Sequence, residues 1–190
     1  DIIYLTGRDM TDSGAGADTY WVMTGRNNHI WDTGTDTSVD VVKTYTSVTM
    51  GSFNFDTSKP YAMIYDGIER VELQGTANLS AVGGLGNETL IGNSGNNILD
   101  GRGGQDVFDG GAGNDTLKFG VDAVETPQYS TTGVQQMTGG TGADTFWFGF
   151  LVKGGYYASN SANAITVMDF VAGQDKIRLA VDSGSSMPSQ

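Results

Sequence analysis

The sequence predicts an all-β, right-handed parallel β-roll, a β-solenoid with loop insertions and a C-terminal capping hairpin. Three observations carry that expectation. Four nonapeptides stand back to back from Gly83 to Lys118: GGLGNETLI, GNSGNNILD, GRGGQDVFD and GGAGNDTLK. Each has glycine at positions one and four, an acid or amide at six (Glu88, Asn97, Asp106, Asp115) and an apolar residue at eight (Leu90, Leu99, Phe108, Leu117). Glycine also makes up 29 of the 190 residues, about twice the usual ~7%. Without a period of three, that excess points to many tight turns.

In such a repeat the first six residues form a turn in which several carbonyl oxygens converge, and the last three form a short strand with position eight facing inward. Two nonapeptides make one coil, so each turn stacks on the turn eighteen residues along the chain.

The other elements follow in order. Residues 4–39 read as degenerate N-terminal repeats. Ser13–Trp21 (SGAGADTYW) is a true unit with Asp18 at six and Tyr20 at eight. Counting nine from it gives flanking units with Asp9, Asn27 and Asp36 at six and Thr11, His29 and Ser38 at eight. Over 40–82 the phase is lost. VVKTYTSVTM from Val41 and RVELQG from Arg70 read as strands, with Gly51 to Asp66 between them as a loop or hairpin. The core repeats occupy 83–118, and 119–129 is an insertion. Over 130–147 the repeats resume, first weakly with Gly133, Gln135 and Met137, then as GGTGADTFW with Asp144 at six and Phe146 at eight. Residues 148–190 form the cap, with ITVMDF and DKIRLA as two strands around the turn VAGQ.

Composition excludes several functions. Twenty-two acidic against 10 basic residues give a net charge of −12, which repels itself unless cations bind or the carboxylates are solvated. The Lys and Arg are scattered, so no nucleic-acid surface is expected. The absence of cysteine rules out disulfides and thiolate metal sites, so a small secreted domain needs some other staple, of which metal is the usual one. No segment approaches the ~20 apolar residues of a transmembrane helix. The start at Asp1, without initiator methionine or signal peptide, reads as a fragment or processed product. The single histidine, His29, makes no zinc site and no GxSxG elbow accompanies it. It reads as an exposed or half-packed turn residue. Trp21 and Trp147 read as packing at the end of a coil. Tyr156 and Tyr157 are candidates for an exposed glycan contact, with Lys59 and Tyr61 weaker ones.

These repeats resemble the RTX (hemolysin-type, repeats-in-toxin) calcium-binding family. GADTY at Gly16, GTDT at Gly34, VVKTYTSV at Val41 and IERVELQGTAN at Ile68 are similar to the segments linking arrays in long RTX proteins. The stretch 165–180 resembles the ending that follows the last repeats of serralysin-like exported proteases. The resemblance implies several Ca2+ ions between stacked turns, held by carbonyls and by the position-six acid. Calcium suits such gaps because it takes 6–8 oxygen ligands at flexible geometry. Carboxylates stacked roughly 5 Å apart without a cation repel one another.

Carried over residue by residue, the implied metal set is Gly83, Leu85, Asn87 and Glu88, paired with Gly101, Gly103, Gly104, Gln105 and Asp106. Gly92, Ser94, Asn96 and Asn97 pair with Gly110, Gly111, Ala112, Gly113, Asn114 and Asp115, and that turn in its turn with Gly139, Gly140, Gly142 and Asp144. Asp106, Asp115 and Asp144 are the best side-chain ligands, with Asp18 next. Glu88 is longer than the family's Asp, and Asn97 offers one neutral oxygen.

The resemblance implies a bacterial extracellular module, not itself an enzyme. It would fold on calcium binding and would stabilise and assist type I export of a secreted or cell-surface protein. The alternatives are a surface-layer or adhesin component assembling through calcium with neighbouring domains or subunits, and an accessory domain of an exported hydrolase or epimerase.

Overall fold

Short apolar triplets separated by six-residue turns cannot reach back to pair with one another, so each strand pairs with the equivalent strand of the next coil. The computed structural model describes residues 1–7, 9–24, 28–30, 32, 37–50, 62–64, 67–84, 86–120, 135–150 and 165–181. Its strands in chain order are β1 (Ile2–Leu5), β2 (Met10–Thr11), β3 (Thr19–Val22), β4 (His29–Ile30), β5 (Val41–Thr44), β6 (Val48–Met50), β7 (Ala62–Ile64) and β8 (Arg70–Leu73). There follow β9 (Ser80–Val82), β10 (Thr89–Ile91), β11 (Ile98–Asp100), β12 (Val107–Asp109), β13 (Thr116–Gly120), β14 (Gln135–Thr138), β15 (Thr145–Phe150), β16 (Ile165–Val167) and β17 (Lys176–Val181).

They form two sheets of 8 and 9 strands, ordered β1-β3-β5-β8-β10-β12-β14-β16 and β17-β15-β13-β11-β9-β6-β7-β4-β2. The pairings are parallel throughout, as in β10 on β12 and β11 on β13. The chain switches sheet at every step except between β6 and β7, which is the path of an all-β parallel roll. Leu90 registers with Phe108 and Leu99 with Leu117, two repeats apart as expected. Phe108 then registers with Met137 and Leu117 with Phe146, two repeats plus the eleven-residue insertion.

The core is a double column of position-eight side chains. Tyr20, Val42, Val71, Leu90, Phe108 and Met137 fill it from one sheet, and Ile30, Ala81, Leu99, Leu117 and Phe146 from the other. All are buried, each large one worth about 1.5–3 kcal/mol. Position nine faces outward. Lys118 Nζ lies 4.9 Å from the Trp147 ring centre and 2.9 Å from Asp100. On the opposite sheet Tyr4 stacks on Trp21 at 6.4 Å, with Lys43 5.4 Å from the indole and 3.3 Å from Glu72. Both tryptophans therefore pack, but in ladders on the outer faces.

Several expectations are corrected. Met10 registers with His29 and Thr11 with Ile30, so the unit after Ser13–Trp21 is one residue longer than nine. Asn28, not Asn27, stands at six, and buried Ile30, not His29, at eight. His29 is itself buried in β4, not on an exposed turn. Ser38 lies outside any strand, and the next coil begins from Asp40; Asn27 and Asp36 lie outside the described residues. VVKTYTSVTM is two strands on opposite sheets joined at Tyr45–Ser47. Within the expected loop or hairpin, Ala62–Ile64 is a parallel strand inserted between β4 and β6.

The capping hairpin is not formed. β16 and β17 pair with β14 and β15, not with each other, because the turn between them carries the chain across to the other sheet. It is a further half-coil. Tyr156, Tyr157, Lys59 and Tyr61 lie outside the described residues.

Candidate metal centre

The turns stack in two ladders, one along each edge of the roll. In each ladder the position-six N–H of one turn donates to the position-six side chain of the next. Glu88 N–H reaches Asp106 Oδ1 at 3.0 Å, Asn97 N–H reaches Asp115 Oδ1 at 2.6 Å and Asp115 N–H reaches Asp144 Oδ1 at 2.8 Å. Backbone bonds brace the same gaps: Gly103 N–H to Gly84 O, Ala112 N–H to Asn93 O and Thr141 N–H to Gly111 O. The three turn pairs expected from the repeat spacing are thus stacked.

The turns are not alike. Turns 13–18, 101–106, 110–115 and 139–144 have positive φ at positions two and four, through Gly14 and Gly16, Arg102 and Gly104, Gly111 and Gly113, and Gly140 and Gly142. Each of these four turns has Asp at six. In the other two turns Gly84, Asn93 and Gly95 take no positive φ. At Gly104 the requirement is double: φ is +97°, and a Cβ would overlap the Gly86 carbonyl oxygen of the turn below. A Cβ on Gly101, Gly110 or Gly139 would collide with the same turn's Asp carboxylate.

This conformation leaves oxygen unsatisfied. Asp106 Oδ2 and Asp115 Oδ2 are buried with no hydrogen-bond partner. Burial, aided by the charges of Glu88 and Asp100 and opposed by the Glu88 N–H, pushes Asp106 up to about 8. Burial with the Asp144 and Asp109 charges pushes Asp115 up to about 7. Asp144 and Glu88 are raised too, burial leading in both. The Glu88 and Asp106 carboxylates repel one another. Once both ionise, only a cation can occupy the space between them without penalty.

The donor set fits a hard cation, offering carboxylate and carbonyl oxygen and no sulfur or imidazole. Among the described residues no three acidic or histidine side chains converge into a cage, so a bound ion there depends on backbone carbonyls beside one or two carboxylates.

Glu88 and Asn97 differ from the aspartates in having partners within their own turns. Gly84 N–H donates to Glu88 Oε2 at 3.3 Å and Asn93 N–H to Asn97 Oδ1 at 2.8 Å. Position five carries an asparagine ladder instead of free turns: Asn87 Oδ1 accepts from Gln105 N–H, Asn96 from Asn114 N–H and Asn114 from Ala143 N–H, each at 2.8 Å. Ser94 is exposed on its turn, and Leu85 lies outside the described residues.

Sequence reasoning missed Asp40 and Glu69 in the position-six ladder, while Gln135, placed at six from the repeat spacing, takes that place. Asp18 N–H donates to Asp40 Oδ1 at 2.7 Å, Asp40 N–H to Glu69 Oε2 at 2.9 Å and Asp106 N–H to Gln135 Oε1 at 2.6 Å. Asp40, raised to about 6 by burial and by Asp32 and Glu69, was hidden because no glycine turn precedes it. The surviving signal is the acid-x-apolar triplet, as in Asp40-Val41-Val42 and Glu69-Arg70-Val71.

Residues 82–117 match the family model of the RTX calcium-binding nonapeptide repeat in four copies. None of the curated proteins compared with the chain matches it. The match falls on the central array where Asp106 and Asp115 lie, and on these grounds residues 82–117 are four hemolysin-type RTX calcium-binding repeats within a parallel β-roll.

Proposed function

We propose that this chain is a non-catalytic, extracellular calcium-binding module that folds when calcium enters the stacked turns, and so stabilises and assists export of a secreted or cell-surface bacterial protein. The observation that carries the reading is the pair of buried, unpartnered carboxylate oxygens on Asp106 and Asp115. Ionising them in the metal-free fold would place negative charge where water cannot reach, in a chain whose net charge is already −12. The oxygens converge only when coils stack, which couples binding to folding. Extracellular calcium modules bind at about 10⁻⁴–10⁻³ M; sites of that strength stay empty in a cytosol and fill outside, keeping the chain extended for passage through a secretion channel.

Circular dichroism of the full chain at pH 8, in millimolar calcium and in excess chelator, tests the coupling. A β spectrum appearing only with calcium is expected. A full β spectrum in chelator overturns it.

A further inference from the structure

The position-six side chains fall into two chemical types at their second head atom. In Asp106 and Asp115 that atom is a buried oxygen with no partner. In Gln135, which stands opposite Asp106 in the next coil and is fully buried, it is the amide nitrogen. Oε1 of Gln135 accepts the Asp106 N–H at 2.6 Å, as an aspartate Oδ1 does elsewhere in the ladder. Nε2 donates to the Gly104 carbonyl at 2.6 Å. A backbone N–H on one side and a carbonyl on the other fix which head atom is oxygen. A carboxylate could not make the second bond, having no hydrogen to give at neutral pH.

We propose that Gln135 is a built-in substitute for a cation: its amide satisfies the Gly104 carbonyl and excludes calcium from the gap above the Asp106 turn, ending the calcium-binding run on that edge. The assignment rests on the reading that the aspartate turns bind calcium, and adds which gap does not. Gln174 also donates to a position-four carbonyl, that of Gly142. It does so from position five, however, and leaves Asp175 at six to accept the Asp144 N–H at 3.0 Å. The amide therefore replaces the acid at Gln135 and merely accompanies it at Gln174.

The test compares wild type, Gln135→Glu and Gln135→Met as full chains, by calorimetric calcium stoichiometry and by the slope of folding stability against calcium concentration. Gln135→Glu keeps the side-chain length and turns the donor into an oxygen. It is expected to bind one more ion than wild type, to need more calcium to fold and to show a steeper calcium dependence. Gln135→Met, which removes both bonds without adding charge, is expected to lose stability with stoichiometry and slope unchanged. A Gln135→Glu chain with wild-type stoichiometry overturns the assignment, as does a Gln135→Met chain that takes up an extra ion; the latter decides the matter even where Gln135→Glu does not fold. Wild type taking up no calcium overturns the underlying reading too, whereas calcium-binding wild type beside an unchanged Gln135→Glu overturns this assignment alone.

Discussion

Repeats 83–100 and 101–118 share spacing, strand register and a fully buried position-eight residue, yet their turns differ. In the first pair the position-two N–H closes onto the turn's own position-six group, at Glu88 and Asn97. In the second pair position two is left-handed, at Arg102 and Gly111. The Gly111 N–H then donates outward to Asp109 at 3.2 Å, and Asp115 Oδ2 is left with no donor. An acid at six is thus not sufficient to make an unsatisfied oxygen; the backbone must also turn the nearby donor away. The difference separates a self-satisfied turn from one that is complete only with a cation.

The largest effect is expected from the backbone. Gly104→Ala places a Cβ against the Gly86 carbonyl at φ +97° and should cost about 3 kcal/mol. Gly14→Ala, also at positive φ but with nothing within 4 Å of a Cβ, should cost about 1 kcal/mol. Urea denaturation in saturating calcium reads both, and equal costs would mean that close turn stacking is not what the second pair depends on.

Asp106→Asn replaces the lone oxygen with an amide. It should leave more β structure in chelator and lower stability in calcium by roughly 1–3 kcal/mol. Glu88→Gln, in the self-satisfied turn, should change calcium dependence less. Calcium titrations followed by circular dichroism rank the two, and a larger effect at Glu88 would reverse the comparison.

The pH dependence should be opposite to that of an ordinary ion-paired acid. Asp106 and Asp115 hold protons in the metal-free fold up to about 8 and about 7, but release them near 4 when unfolded. The folded state binds more protons across that window, so metal-free stability is greatest at low pH and falls as pH rises from about 4 to about 8. Each carboxyl contributes at most about 1.4 kcal/mol per pH unit. Circular dichroism in chelator at pH 5 and pH 8 measures this: β structure should be greater at pH 5, and more β structure at pH 8 would contradict it. Calcium binding at pH 7 should correspondingly release protons, seen as a buffer-dependent heat.

The smallest effect belongs to the outer face that joins the two pairs. Lys118→Met removes the bond to Asp100 and the contact with the Trp147 ring, and should cost about 1 kcal/mol. Its thermal shift should be the same at moderate and at saturating calcium; a calcium-dependent shift would tie the outer ladder to the turns.

Much of the molecule is legible from spacing alone. The period of nine places Leu90, Leu99, Phe108 and Leu117 in the core, and resuming the count at Gly139 finds Phe146. The coils at Asp40 and Glu69 were obscure because their turns lack the glycine pattern and because insertions change coil length without changing what stacks on what. The C-terminal strands were found, but two strands around a short turn read as a hairpin unless the coil beneath them is known.

The sequence by itself determined the solenoid, its core column and which turns carry aspartate, because these follow from local periodicity and turn chemistry. The tertiary structure alone decided the insertion of β7, the one-residue shift at Ile30, the last half-coil and which carboxylate oxygens are left without a donor. The physical reason is that a parallel ladder joins residues fourteen to thirty-four positions apart. Whether an oxygen is satisfied therefore depends on the coil above and below it, not on the residues beside it in the chain.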